Sequence, residues 1–335
     1  MKIKLIVLIL ALTVSYNLFA GRYAGDFMSI GAGVRALGMG GAYASVAEDG
    51  TAMYWNAAGI GQIRHPEITM MHAYLYNGLA SYDNLSYAQP LPNEVTIGIN
   101  WVRLTIDKIP QFDEKYLVGT NVDQRSADWD LHLPGTPDGN FTSLDDLVQV
   151  AFSKHVFYKA NMGWQFFEIP FDFYFGGNVK FIKRQLQYNG TGTGFDLSFM
   201  TTTDLAVIFD QEWMGKLNFG INFQDVSGTD ITWDTPSNHK DQILFNTKWG
   251  LSGTQPLPFI KSQILLAIDT DYAYQIVRHY GAEFQYHKLA TLRFGYYDHN
   301  FSTGTTFKLY GFNVDYAFIT NPLGSTNRIG LRFNF

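Results

Sequence analysis

Apolar and polar residues alternate with a period of two along much of the chain. Leu217, Phe219, Ile221 and Phe223 share one face, and Asn218, Gly220, Asn222 and Gln224 share the other. The split recurs at Ala290, Leu292, Phe294 and Tyr296 against Thr291, Arg293 and Gly295, and at Ile264, Leu266 and Ile268 against Ala267 and Asp269. Successive side chains of an extended chain point to opposite sides, so this period predicts strands. Such runs fall near 67–75, 80–89, 94–105, 147–157, 171–188, 194–208, 217–226, 242–253, 262–274, 278–287, 290–298, 302–318 and 325–335. A closed bacterial barrel needs an even number of strands. Two short strands turning near Gly311 within 302–318 supply it, giving about fourteen.

Alternation alone does not separate a membrane barrel, whose apolar face meets lipid, from a soluble sandwich, whose apolar face points inward. Composition narrows the choice. Aromatic residues make up 16% of the chain and charged residues only 16%, against about 25% charged in soluble domains. Mean hydropathy is nevertheless -0.08, and no stretch after residue 20 approaches the roughly 18 apolar residues of a spanning helix. Lipid-facing and lumen-facing residues that alternate and cancel give this profile. Residues 1–20 carry Lys2 and Lys4, an apolar core from Ile3 to Val14, then Leu18 and Ala20, the layout of a cleavable secretory signal. The chain has no cysteine, so neither a disulfide framework nor an acylated cysteine anchor is available. Its formal charge of -6 argues against a nucleic-acid partner.

At the carboxyl end Ile329, Leu331, Phe333 and Phe335 alternate with Arg328, Gly330, Arg332 and Asn334. A final strand ending on phenylalanine resembles the insertion signal of outer-membrane proteins, with Phe333 and Phe335 as its aromatic positions. The expected fold is therefore all-β: an antiparallel transmembrane barrel in the bacterial outer membrane, with outer-membrane lipid and the barrel assembly machinery as its first partners.

Between signal and barrel, residues 33–60 read GVRALGMGGAYASVAEDGTAMYWNAAGI. Gly38, Gly40 and Gly41 let backbone approach backbone, which suits a segment packed inside something. Thr51 to Gly59 reads as one or two helical turns, capped by Asn56 or ended by Gly59. An ordinary glycine-rich loop before a β-domain would share these features. The G-x-R-A-x-G-M-G-G-A opening at Gly33–Ala42 and the element Asn56-Ala57-Ala58-Gly59 resemble the FadL-like outer-membrane barrels, the PorV/PorQ branch most closely. Ala57 stands where that family usually has proline, a change that still permits a helical turn. Short stretches at 178–182, 194–197, 315–318 and 323–328 resemble PorV/PorQ strands as well. The resemblance implies a plug, residues 21–66, folded into the lumen of a barrel spanning 67–335. It further implies one of two roles. The first is a component or shuttle of type IX protein secretion, with secreted proteins or secretion components as partners; the alternative is a FadL-like channel for fatty acids or other hydrophobic small molecules.

Chemistry-bearing residues point to no enzyme, metal or cofactor. The outer loop 106–144 holds Asp107, Asp113, Glu114, Asp123, Asp128, Asp130 and Asp138 without a calcium-loop spacing. Its Phe112, Tyr116 and Trp129 are candidates for a lid. His65, His72, His155 and His287 are scattered, and no G-x-S-x-G elbow is present. Asp196, Asp269, Asp271, Arg293 and Asp315 fall on predicted lumen faces, since a charge such as Arg at mid-membrane on the lipid face costs about 2–4 kcal/mol. They are expected to line a polar path or to pair with Arg35 and Glu48 of the plug.

Overall fold

The computed structural model describes residues 24–112, 137–161, 163, 168–272, 275–287 and 289–335. Its strands are β1 (Glu67–Leu75), β2 (Ala80–Leu91), β3 (Val95–Gln111), β4 (Gly139–Asn161), β5 (Glu168–Gln185), β6 (Asn189–Asp204), β7 (Lys216–Gln224), β8 (Thr229–Trp233), β9 (Lys240–Ile243), β10 (Asn246–Leu257), β11 (Ser262–Asp271), β12 (Val277–Tyr286), β13 (Ala290–Tyr297), β14 (Asn300–Leu309), β15 (Phe312–Ile319) and β16 (Thr326–Asn334). All but β8 and β9 form one closed antiparallel barrel of 14 strands, sealed where β1 meets β16 from Glu67↔Asn334 to Tyr74↔Asn327. The short pair β8–β9 is a hairpin in the loop after β7, laid on the end of β6 through Gly190↔Trp233 and Gly192↔Ile231.

Outward positions are apolar and exposed, among them Met70, Leu85, Ile99, Val150, Phe181, Phe195, Leu266, Phe294, Phe307 and Leu331. Inward positions at the same levels are buried; some are polar, such as Thr69, Asn84, Asn100, Gln149, Lys180 and Arg293, and others small or apolar, such as Met71, Ala151, Ile182, Leu265 and Ala267. A closed wall with an apolar exterior leaves no unpaired strand edge in lipid. On β1–β5 the belt ends at an outward row, His72↔Asp83↔Arg103↔Asp146↔Lys183. There Arg103 holds Asp146 at 2.8 Å and His72 holds Asp83 at 2.6 Å. The amide of Phe335 donates to Pro66 O at 3.1 Å, so both ends of the barrel share one rim, the periplasmic one.

The structure corrects the expected strand limits at three places. β4 starts at Gly139, not near 147. Asp145 and Asp146 interrupt the apolar pattern, but Arg184 pairs with the first at 2.7 Å and Arg103 with the second. The long periplasmic turn read at 161–170 is shortened at both ends, because the β4–β5 ladder continues to Asn161↔Glu168 and 168–170 are strand; 162 and 164–167 lie outside the described residues. The run 194–208 ends as strand at Asp204, and Leu205–Phe209 is a short helix that Asp204 caps through Ala206 N at 2.9 Å. The expected split of 302–318 is present: β14 and β15 turn at Tyr310 and Gly311, with φ of 44° and 88°. The signal segment 1–20 and the loop residues Asp113, Glu114, Tyr116, Asp123, Asp128, Trp129 and Asp130 lie outside the described residues.

Candidate functional site: the plug and the lumen

Residues 24–63 run through the barrel interior and supply most of its buried apolar core, including Phe27, Leu37, Met39, Tyr43, Met53, Tyr54, Trp55 and Ile60. The segment is irregular. It contains α1 (Val34–Gly38), α2 (Ala52–Trp55) and a 3-10 turn, Ala57–Gln62. So few helical turns leave many backbone groups without internal partners, and buried backbone groups must be satisfied.

Lumen side chains satisfy them. Asp269 accepts from the amides of Tyr43 at 2.6 Å and Ala44 at 2.5 Å. Gln149 and Asn178 both donate to Met53 O, at 3.1 and 2.9 Å, and Asn222 donates to Trp55 O at 2.9 Å. Ser153 donates to Ala58 O at 2.8 Å, while Ser198 accepts from Ala58 N at 2.9 Å. Arg328 reaches Gly31 O at 2.8 Å, and His279 Nδ1 meets Gly40 O at 2.6 Å. The polar lumen is thus in large part the hydrogen-bonding complement of the plug.

Charge adds a second layer. Glu283 accepts from Arg35 of the plug at 2.9 Å and from Arg293 of the wall at 2.6 Å; all three side chains are buried. Arg35 also meets Glu48 at 2.7 Å within the plug, and Arg332 meets Asp49 at 3.3 Å. Burial pushes the Asp49 carboxyl up, but the Arg332 and Arg35 guanidiniums and hydrogen bonds from Thr51 and Tyr43 outweigh it and hold it below the ordinary carboxylate range.

Close approach between plug and wall depends on absent side chains. A Cβ on Gly40 (φ 66°) would lie 2.7 Å from Tyr296 N, and one on Gly295 would lie 2.0 Å from Gly40 N. Gly38 faces Gly304 across the same seam, a Cβ standing 3.3 Å from its Cα, and Gly41 abuts His279. On the opposite wall a Cβ on Gly176 would stand 2.4 Å from Ala58 N.

The expected site residues therefore sort as follows. Gly38, Gly40 and Gly41 lie at the plug–wall contact. Asn56 caps the 3-10 turn, accepting from Ala58 N at 3.2 Å, and also donates to Ala44 O at 2.7 Å. Gly59 is not a helix cap: α2 stops at Trp55, Asn56 is extended, and Gly59 is required because a Cβ there would meet Ala47 O at 2.1 Å. Asp196, Asp269, Asp271, Arg293 and Asp315 all face the lumen; Asp269 hydrogen-bonds the plug directly, and the Arg293 side chain packs against Gly38. Asp196 pairs with Lys180 and Asp271 with Lys248, each at 2.7 Å, and Asp315 lies 3.7 Å from Arg293. The expected carboxylate partner of Arg35 is instead Glu283, which shares its face with Gly281 and was legible only as one more inward position of β12. Phe333 lies on the exterior, stacked between Phe312 and Phe335 with centroids 4.6 and 5.5 Å away. His155 sits between Glu94 and Asp172 at 2.8 and 2.7 Å, and among the described residues no group of three or more potential ligands is arranged for a metal.

Small cavities flank the plug. An outer one of about 90 Å³ lies against Met28, Tyr54, Lys180, Asp196, Asn246 and Lys248. Periplasmic ones of about 320 and 380 Å³ both touch Arg35 and Glu48. On the lipid side, a groove of about 810 Å³ runs over β2–β6, lined by Tyr87, Ile97, Phe152, Phe175, Gly177 and Leu197.

No protein-family model matches the chain, and no curated protein sequence does. Among solved structures, the TodX ΔS2S3 mutant, a monoaromatic hydrocarbon channel, is 12% identical, covers 91% of this chain and 99% of its own, and superposes with a TM-score of 0.50. The toluene transporter TbuX of Ralstonia pickettii is 12% identical over 91% and 98% of the two chains, with a TM-score of 0.43. A FadL homologue from Pseudomonas aeruginosa is 9% identical over 91% and 98%, with a TM-score of 0.47. At these identities the likeness is one of fold: the chain is a 14-stranded outer-membrane β-barrel of FadL-like architecture.

Proposed function

We propose that this protein is a plug-gated outer-membrane channel for hydrophobic small molecules. The observation that carries the reading is the apolar groove on the lipid side of β2–β6. Its floor is the stretch of wall against which Met53–Ala58 rest from inside, and Gly98 and Gly176 place no side chain between: a Cβ on Gly98 would meet Met53 Sδ at 2.6 Å. Displacing Met53–Ala58 opens lumen space directly behind an apolar surface of a size suited to small ligands. The fold likeness to a monoaromatic hydrocarbon channel supports this role over protein secretion, which rests on the short PorV/PorQ-like motifs alone.

The absence of native cysteine makes a tether test clean. A Cβ on Gly61 would lie 3.5 Å from Ser153 Cβ, within the range a disulfide spans. Cells carrying Gly61→Cys with Ser153→Cys are expected to lose uptake of labelled toluene or long-chain fatty acid when oxidised and to regain it on reduction. Uptake no different from cells lacking the protein, for both compounds and in both redox states, would sink the channel reading.

A further inference from the structure

Every residue of the short helix Leu205–Phe209 is apolar, and none of the five is buried. A helix that is hydrophobic all round is normally covered on all sides. This one follows β6, which ends at the rim that holds Pro66 and Phe335, so it belongs to a periplasmic connector. Val207 is 50% exposed and Phe209 57%, and Trp213 of the same connector is 60% exposed. The neighbouring turn on the rim repeats the feature. β7 pairs with β10, and in the turn from β10 to β11 Phe259 is 85% exposed and Ile260 41%. The two connectors touch, since Gln255 Nε2 donates to Trp213 O.

An exposed apolar patch marks contact with a protein or a membrane. Continuity with the lipid face of the barrel decides between them here. Leu217 on β7 and Leu251 on β10 are exposed outward positions of the apolar belt, and the two connectors prolong these same strands beyond its edge. Met214 and Pro256, the chain neighbours of Trp213 and Leu257, line the 380 Å³ periplasmic cavity on the lumen side. Charge in the two connectors is of both signs. Asp204 caps the helix and lies opposite Lys216, and Asp210, Glu212 and Lys261 are exposed, a mixture that a zwitterionic headgroup layer accommodates. We infer that residues 205–213 and 258–260 lie in the periplasmic leaflet of the outer membrane. Val207, Phe209, Trp213 and Phe259 rest against the upper acyl chains of zwitterionic phospholipid, and Asp210, Glu212 and Lys261 stay at its aqueous edge. Tryptophan is enriched at that boundary, and apolar faces of interfacial helices enter it by about 5–10 Å. Nothing in this placement depends on what the channel carries.

The absence of native cysteine allows one probe at a time. Val207→Cys, Phe209→Cys, Trp213→Cys and Phe259→Cys, each labelled with a nitrobenzoxadiazole fluorophore, are folded as full-length protein into vesicles of phosphatidylethanolamine and phosphatidylcholine. Pro92→Cys, in the exposed polar turn between β2 and β3, is the aqueous reference. Lipid brominated on the upper acyl carbons should quench the four connector probes by half or more and leave the reference bright, and aqueous iodide should do the opposite. Each substitution removes one exposed side chain, so heat-modifiable gel mobility should be unchanged in every variant. Iodide quenching of the connector probes equal to that of the reference, with no effect of brominated lipid, overturns the inference. Shielding that appears only on addition of a periplasmic extract overturns it too, since a protein then covers the patch.

Discussion

Gly40→Val tests whether the plug is held by contact with the wall. At φ 66° the position lies in the left-handed region, which costs an L-residue about 1–2 kcal/mol. Its first side-chain carbon would stand 2.7 Å from Tyr296 N and 3.1 Å from both Gly295 C and Tyr280 O, backbone atoms of a laddered wall that cannot rotate away. Overpacking of this kind costs about 1–3 kcal/mol, and the two penalties together reach roughly 2–5 kcal/mol. Against them stand His279 on Gly40 O and Ser302 on Gly38 O, each worth about 0.5–1.5 kcal/mol net. The local contact should therefore break while the barrel, with its own ladders intact, assembles. At about 3 kcal/mol the detached population rises roughly 100-fold, read as increased single-channel conductance and entry of bulky antibiotics. Gly78→Val is the control: φ is 91° there too, but nothing lies within 4 Å of its Cβ, in a turn far from this seam. Equal effects from both variants would mean general weakening and refute the argument. Loss of heat-modifiable mobility in Gly40→Val alone would make the segment part of the assembling wall, and no change at all would leave it a slack loop.

Glu283→Gln keeps a hydrogen-bond acceptor but strands two buried guanidiniums. With Glu48 and Asp315 still nearby the cost should be near the low end for a broken buried pair, about 3 kcal/mol, and should expose residues 24–66 to added protease without lowering the yield of folded barrel. Asp49 predicts a pH response. Its carboxyl is held below its ordinary value, so its contribution is complete above about pH 4 and is lost as pH falls through the lower, folded-state value. Conductance should show an acid step below about pH 4, and Asp49→Asn should remove that step.

The barrel was legible because one physical rule, an apolar exterior on a wall whose side chains alternate, writes itself at period two. It failed at Asp145-Asp146, where adjacent charges face opposite sides and each finds an arginine three-dimensionally, a pairing no local pattern reveals. The plug was legible through Gly38, Gly40 and Gly41, because close backbone contact leaves only glycine as a choice. Its partners were not. Gln149, Asn178, Asn222, Ser153 and Ser198 read simply as inward polar positions, since nothing in a strand's own sequence says which carbonyl of a distant segment it will meet. Gly59 misled for the same reason: a glycine after a helical turn signals a cap, whereas its constraint comes from Ala47 across the plug.

The wall does not hold all parts of the plug alike, and this bears on where a gate can open. Gly31 to Asp49 is gripped by charged groups: Arg328 on Gly31 O, Glu283 on Arg35, Asp269 on Tyr43 and Ala44, and Arg332 on Asp49. Bonds to charged groups contribute about 1.5–3 kcal/mol each. Met53 to Ala58 is held from the wall mainly by neutral amides and hydroxyls, those of Gln149, Asn178, Asn222, Ser153 and Ser198, at about 0.5–1.5 kcal/mol each. The more weakly held half is also the half that rests behind the apolar groove. A gate that moves the least costly segment should therefore leave the charged half in place. The tether assay can separate the two: Val34→Cys with Gly330→Cys, whose Cβ atoms would lie 3.6 Å apart, fixes the charged half to β16. Oxidised, that pair should leave uptake intact where the Gly61–Ser153 pair abolishes it. If instead the Val34–Gly330 tether blocks uptake as completely, the plug moves as one body and the groove is not set apart by how its inner face is held.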